Sequence, residues 1–400
     1  MYQLLSGMTV IEGAAFVAGP SCGLYFAQMG ANVIRFDAIG GGPDSKRWPI
    51  GKQGQSLYWE GLNKGKRSIA IDLRRPEGRE LAQRLATAGD GLFVTNFPVG
   101  GFLSYDALCA LRDDLICLRV MGWSDGSPAV DYTINASVGV PMMTGHADDP
   151  RPVNHVLPAW DLLAGGYGAF ALLAAERNRR ESGKGREVRI SLSDLAAATM
   201  GNLGNIAEVT QAGADRPRSG NNLFGAFGRD FVSADGVRVM LVAITPKQWN
   251  GLISALGIAS EITALESELG ISLTKDEGLR FVHRDRVDPL FEKAIAGFPI
   301  AKLGPLFDEA GCTWSAYRSL HEALNTEPRL FGDNPIFSDV THAGGASYPT
   351  PGAAARIPSD NRIEAAPSPA IGQHTDELLS ELLDLESGEI ARLHDAGLVA

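Results

Sequence analysis

Short apolar runs with a period of two alternate with helix-period stretches through the first two hundred residues, as strands separated by helices do. MTVIEG (8–13), VIRFD (33–37), SIAIDL (68–73), GLFVTNF (91–97) and DLICLRVMG (114–122) read as strands. A helix-compatible stretch at 20–30 closes on Gly30. PEGRELAQRLATAG places Pro76 at the favoured first helical position, with Gly89 as its stop. A short helix around 105–112 completes the alternation. This rhythm predicts parallel pairing through right-handed crossovers, and so a Rossmann-like α/β sheet whose ligands sit beyond the carboxyl ends of the strands.

DLLAGGYGAFALLAAERNRR (161–180) predicts an Ala/Leu-rich helix whose Arg-rich end suits the negative end of the helix dipole. EVRISLSD reads as a strand with Val188, Ile190 and Leu192 on one face, whereas SPAVDYTIN shows no helical period. Around 211–230 the chain turns to Gly, Asn and Arg-Pro, the composition of a boundary. The strand VRVMLVAIT and helices near 246–256 and 301–311 then predict a smaller α/β module. The expected organisation is a large Rossmann-like domain over 1–210, a linker at 211–230, a small α/β domain over 231–330, and a last segment, 331–400. That segment combines a Pro/Gly-rich extended connector at 343–370 with helices at 375–383 and 387–396 that return to the large domain.

Composition narrows the partners. Lys plus Arg total 36 against 47 for Asp plus Glu, a formal charge of −11, and no basic block is present. Such a chain is a poor nucleic-acid or anionic-membrane binder, although a few local arginines can still hold a polyanionic small molecule. The start MYQLLSGMTVIEG lacks the basic and apolar regions of a signal peptide, so a cytoplasmic location is expected. Cys22, Cys109, Cys117 and Cys312 have no CxxC spacing and suggest neither a metal nor a disulfide framework.

Two places carry candidate chemistry. Gly122-Trp123-Ser124-Asp125-Gly126 is a GxSxG match directly after a strand, where a hydrolase nucleophile elbow would lie. Asp194 with His374 or His394 would follow in the required chain order. Pro128 arrives too soon for the helix an elbow needs, which favours a simple Gly/Ser/Pro turn. Asp161 is the second candidate. It is either an ordinary helix N-cap or a carboxylate that a substrate can reach beside Trp160 and the Gly165-Gly166 pair, where a ligand can approach the backbone.

GAAFVAGP (13–20), MGANVIRFD (29–37), LNKGKRSIAIDLRRPEGREL (62–81), TNFPVGG (95–101), Trp160-Asp161 with Gly165, and IGQHTDELL (371–379) occur in order. Together they resemble the class III CoA-transferases, the family of formyl-CoA and carnitine CoA-transferases. The resemblance implies an interlocked homodimer, an acyl-CoA substrate, no cofactor beyond the CoA it carries and no metal. It further implies Asp161 as the nucleophile that forms an aspartyl-CoA thioester. The positions matching the family's CoA contacts are Phe16, Val17, Ala18, Ile71, Leu73, Arg74, Asn96, Phe97 and Tyr132. IGGGPDSKRWP, DYTINASVGVPMMTG, VNHVLPAWD and GAFGRDF further resemble a branch that moves CoA between the C1 and C4 carboxylates of one mesaconate in the 3-hydroxypropionate cycle of carbon fixation. Intermolecular transfer to another dicarboxylic acid is the alternative, and thioester hydrolysis through Ser124 a further one.

The chain also departs from the family. Val17 stands where formyl-CoA transferase has Gln, a basic CoA contact falls near Ser104, and the glycine-run loop that shields the intermediate is missing from 231–325. Asn221–Asp230 is the expected substitute for that shield. Arg47, Arg229 and His155 are candidates for holding the free carboxylate.

Overall fold

The computed structural model describes residues 1–400. Six strands, β1 (Thr9–Gly13), β2 (Asn32–Ala38), β3 (Arg67–Ile71), β4 (Leu92–Thr95), β5 (Ile116–Met121) and β6 (Arg186–Ser191), form one sheet in the order β3-β2-β1-β4-β5-β6. Every pairing is parallel, with Ile11 beside Ile34 on one side and Phe93 on the other. The central strands are buried almost throughout, because a parallel sheet is covered on both faces. Strand order reverses between β1 and β4, which opens a crevice at their carboxyl ends. Leu192 does not extend β6; Ser191 Oγ accepts the Asp194 N–H and starts a helix there instead.

The helices from the amino terminus are α1 (Ala18–Gln28), α2 (Leu57–Asn63), α3 (Pro76–Ala86), α4 (Tyr105–Cys109), α5 (Asp131–Ser137), α6 (Val140–Met143), α7 (Ala159–Ser182), α8 (Leu192–Asn202) and α9 (Asn205–Ala212). The α7 glycines let it lie against its neighbours at close range. A Cβ on Gly165 would stand 2.6 Å from Ser21 Cβ on α1, and one on Gly168 would stand 3.0 Å from a Leu118 methyl. Gly165 therefore serves helix packing rather than ligand approach, whereas Gly166 is exposed.

Further along come β7 (Phe227–Val232), β8 (Arg238–Ala243), the helices α10 (Pro246–Leu256), α11 (Ala259–Leu269), α12 (Glu277–Val282), α13 (Arg284–Ala296) and α14 (Ile300–Glu309), then β9 (Thr313–Ala316) and α15 (Leu320–Thr326). β7, β8 and β9 make an antiparallel sheet over a core of Phe227, Phe231, Trp249, Phe291 and Phe307. Last are β10 (Phe337–Thr341), β11 (Ser347–Pro351), α16 (Thr375–Leu383) and α17 (Ser387–Asp395). The stretch read as an extended connector thus holds a strand, β11, paired antiparallel with β10. Leu378, Leu379 and Ile390 join Ile71, Leu81 and Leu85 in one apolar cluster, which fastens α16 and α17 to the sheet layer.

Two compact units result. One comprises residues 1–138, 155–211 and 333–400, the other 139–154 and 212–332. Residues 139–154, read from the sequence with the first domain, group with the second unit because Arg218 donates to the carbonyls of Met142 (2.7 Å) and Arg151 (2.6 Å). No helix is long and apolar enough to cross a membrane.

Candidate active site

A cavity of about 840 Å³ opens in the first unit where β1, β4 and β5 end. Its floor is the loop between β1 and α1, and three side-chain bonds fix that loop. The Ala15 N–H donates to Asn96 Oδ1 (3.1 Å), Asn96 Nδ2 donates to the Ala15 carbonyl (2.9 Å), and the Phe16 N–H donates to Asp44 Oδ2 (3.1 Å). Phe16 is held at φ +69°, a strained conformation for a bulky side chain that the three bonds compensate. The chain then turns into α1, where Ala18, as the first helical residue, has an N–H with no acceptor inside the helix.

Asp44 is itself anchored in a buried ionic network. Arg35 reaches Asp44 (3.0 Å), Asp37 (2.9 Å) and Asn63 (3.1 Å), with its guanidinium over the Trp59 ring at 4.4 Å. Lys66 pairs with Glu12 at 2.8 Å and also donates to Asn63 and the Pro20 carbonyl. Every charged group here is paired, as burial at this depth requires.

Asp161 lies in the first turn of α7, yet it does not cap that helix. Asp131, the first residue of α5, takes the role: its Oδ2 accepts the N–H groups of Trp160 (2.7 Å) and Asp161 (3.1 Å). Trp160 Nε1 donates to Asn135 Oδ1 (3.1 Å), which fixes α5 against the start of α7. The Asp161 carboxylate accepts no hydrogen bond and faces the cavity. Burial first, then the charge of Asp131, push its pKa up to about 7 from the ordinary 3.8, against a smaller opposing pull from Arg47.

Phe16, Val17, Ala18, Asn96, Phe97 and Tyr132 line this cavity together with Asp161. Their roles differ. The Asn96 side chain is spent on the Ala15 backbone, Phe97 also packs against Phe36 and Phe102, and the Tyr132 hydroxyl donates to the Val156 carbonyl (3.0 Å). Ile71, Leu73 and Arg74 do not line it. Ile71 is fully buried and bridges Val399, Leu73 packs on the core, and Arg74 is exposed and paired with Asp72 (2.9 Å). Ile71 ends β3 and Leu73 and Arg74 follow it, and β2 separates β3 from β1.

Ser124 sits on an exposed turn followed by irregular chain, and no triad forms. His374 Nδ1 accepts the Ser68 N–H, and His394 pairs with Asp376 (2.7 Å). Ser104 caps α4 through the Ala107 N–H. Arg229, in the second unit, already pairs with Asp288 (2.9 Å) and Glu292 (3.1 Å). Asn221–Asp230 belongs to the same unit. His155 Nε2 stands 4.0 Å from Asp131 Oδ1. No group of three or more His, Cys, Asp or Glu is placed to hold a metal ion. The sequence reading missed Asp131, Tyr58 and the Arg35–Asp44 pair. Only the charged cluster PDSKR after a strand hinted at the last.

The family model for CoA-transferase family III matches residues 5–375. The chain belongs to that family. Its relatives within CoA-transferase family III include a 2-methylfumaryl-CoA isomerase of Chloroflexus aurantiacus, 48% identical over 404 residues that cover 100% of this chain and 98% of that one. A succinyl-CoA–D-citramalate CoA-transferase of the same organism is 29% identical, over 97% of this chain and 96% of that one. Among solved structures, a CAIB/BAIF family protein from Brucella suis superposes with a TM-score of 0.76 at 23% identity. That match covers 95% of this chain and the whole of the other, and it establishes the shared fold.

Proposed function

We propose that this chain isomerises 2-methylfumaryl-CoA to 3-methylfumaryl-CoA by moving CoA between the two carboxylates of one mesaconate, with Asp161 as nucleophile. The observation that carries the reading is the Asp161 carboxylate itself: unbonded, raised to about 7, and facing a cavity beside the free N–H at the start of α1. An Asp161 oxygen attacks the thioester carbonyl, the C–S bond breaks, and CoA leaves as the thiolate from a mixed anhydride. The thiolate then attacks the Asp161 carbonyl and expels mesaconate, leaving an aspartyl-CoA thioester. The other mesaconate carboxylate attacks that thioester and the same two steps run in reverse, so no net proton is gained or lost.

Charge builds on a carbonyl oxygen at each addition. The Ala18 N–H is the donor this reading assigns to it, because the N–H groups of Trp160 and Asp161 are already bound to Asp131. An anhydride is quickly hydrolysed, so water must be kept out while it exists. The Phe16, Val17, Phe97 and Tyr132 side of the cavity then takes the acyl and pantetheine part of the substrate, and the exposed Arg74 with the backbone at Ile71 and Leu73 meets the nucleotide end. A homodimer completes the proposal, supported by the exposed stripe of Leu163, Tyr167 and Phe170 along α7, whose i, i+4, i+7 spacing marks an uncovered helix face.

The test is a conversion assay in the presence of isotopically labelled free mesaconate and other free acids. Isomerisation without label entering the CoA ester is the expected result. Label entering as fast as isomerisation proceeds would make the chain an intermolecular transferase. Release of free CoA that disappears in Ser124→Ala would make it a hydrolase.

A further inference from the structure

We propose that Arg47, with the Tyr58 hydroxyl beside it, holds the carboxylate of the diacid that is bonded to neither CoA nor Asp161. The proposal deepens the Asp161 reading and rests on it. Arg47 is the one cationic side chain among the residues lining the cavity. Three other cations nearby in the fold are consumed: Arg35 and Lys66 by the buried network, Arg119 by Glu187 and the carbonyls of Phe97, Pro98 and Leu103; Lys46 and His155 do not line the cavity.

The Arg47 guanidinium, by contrast, has no hydrogen bond and no ion pair. Its support is aromatic, over the Phe16 ring at 5.5 Å and the Tyr58 ring at 5.4 Å. Its backbone is fastened too, since the Arg47 N–H donates to the Asp44 carbonyl (3.2 Å) and its own carbonyl accepts from Ser56 Oγ (2.6 Å). A planar fork over two rings, with all five N–H donors unused, is prepared for a bidentate carboxylate.

Tyr58 supplies a second, independent sign. Its hydroxyl is buried without a hydrogen-bond partner while the residue lines the cavity, and a buried hydroxyl in that state lacks an acceptor. Burial pushes its pKa up to about 12, so it stays an O–H donor. Both groups feel the charge of Asp161. The anion they take is therefore at the acyl end of the substrate, not at the nucleotide phosphates. A CoA thioester offers an anion at its acyl end only if the acid has a second carboxylate.

Such a fork also explains how one acid can present both ends in turn. With CoA on Asp161, the freed diacid carries two carboxylates, and either can occupy Arg47 while the other meets the aspartyl thioester. A monoacid has no second group to hold and departs.

The experiment compares two thioesters at about pH 8.5, above the value of about 7 to which Asp161 is raised. Formation of the Asp161 adduct, trapped with hydroxylamine and read by mass spectrometry, is followed from 2-methylfumaryl-CoA and from the monocarboxylic crotonyl-CoA. In Arg47→Met the selectivity for the diacid ester falls about tenfold or more, the size of a lost charge-assisted bond, and Arg47→Lys recovers part of it. Label from free mesaconate also begins to enter the product. Equal losses with both thioesters, or an unchanged ratio, would overturn the assignment and leave Arg47 a packing residue of the Phe16 loop. No adduct from either thioester in the wild-type protein would defeat the Asp161 reading, and this one with it.

Discussion

Two helices begin at the same cavity, and their first turns are prepared in opposite ways. At α1 the chain arrives through Phe16 at positive φ, clamped by Asn96 and Asp44, and the Ala18 N–H is left without an acceptor. At α7 the N–H groups of Trp160 and Asp161 are occupied by Asp131, so the carboxylate in that turn accepts no hydrogen bond from the helix start. In the proposed reaction one terminus is kept free for the anion that forms at each addition. The other is silenced so that its own anion stays unstable and reactive. A helix start is thus a site only when nothing in the protein has already satisfied it.

The largest expected effect comes from the silenced side. Asp161→Ala is expected to lower isomerisation by about 10³-fold or more while thioester binding persists, since the proposed covalent step is lost and not the cavity. Retention of more than a few per cent of the rate, measured with contamination excluded, would contradict the contrast outright. Asp161→Asn sharpens it through stability. The folded-state pKa of about 7 lies above the ordinary 3.8, so the folded chain holds a proton that the unfolded chain has lost between those values. Ionising Asp161 therefore costs stability, with no penalty below about pH 4 and the full penalty above pH 7. The Asn variant gains about 1–3 kcal/mol over wild type at pH 8 and little at pH 4, read by denaturant unfolding at both values.

On the free side, Arg35→Met leaves Asp44, Asp37 and Glu12 buried with too little positive charge and costs about 3–5 kcal/mol. Thermal unfolding reports that loss. If the fold survives, the Phe16 loop loosens and kcat falls with it; an unchanged kcat would separate the network from the site. The smallest effect is expected far from both termini. Arg74→Ala is expected to raise KM for the CoA ester about tenfold with kcat nearly unchanged, because the proposed phosphate contact would act in ground and transition states alike. The Arg74 side chain is exposed and Asp72 keeps the Arg74 backbone N–H, so the unfolding temperature changes little.

The strands of the main sheet were legible because each is a short apolar run bounded by Gly, Pro or polar residues, and parallel crossovers leave little freedom in ordering them. That Asp161 was the candidate nucleophile was legible only through the family resemblance; its place in the cavity came from the structure. What could not be read was what acts on it. Asp131 lies on a seven-residue helix preceded by Pro128, too short to show a period, and its hydrogen bonds reach across about thirty residues. The same holds for the clamp on Phe16, whose acceptors come from residues 44 and 96. The sites after β3 and those after β1 and β4 look equivalent in the sequence. Strand order alone sends Ile71 and Leu73 away from the cavity.

The most direct test of the contrast is the pH dependence of adduct formation on the peptide that carries Asp161, in wild type and in Asp131→Asn. Asparagine can still accept the two N–H groups through Oδ1 but removes the neighbouring charge. The adduct rate in the wild-type protein is predicted to rise through a midpoint near pH 7, and the midpoint in Asp131→Asn to move down. A wild-type midpoint near pH 4, or one that does not move in the variant, would contradict the claim that Asp131 and burial together keep Asp161 reactive.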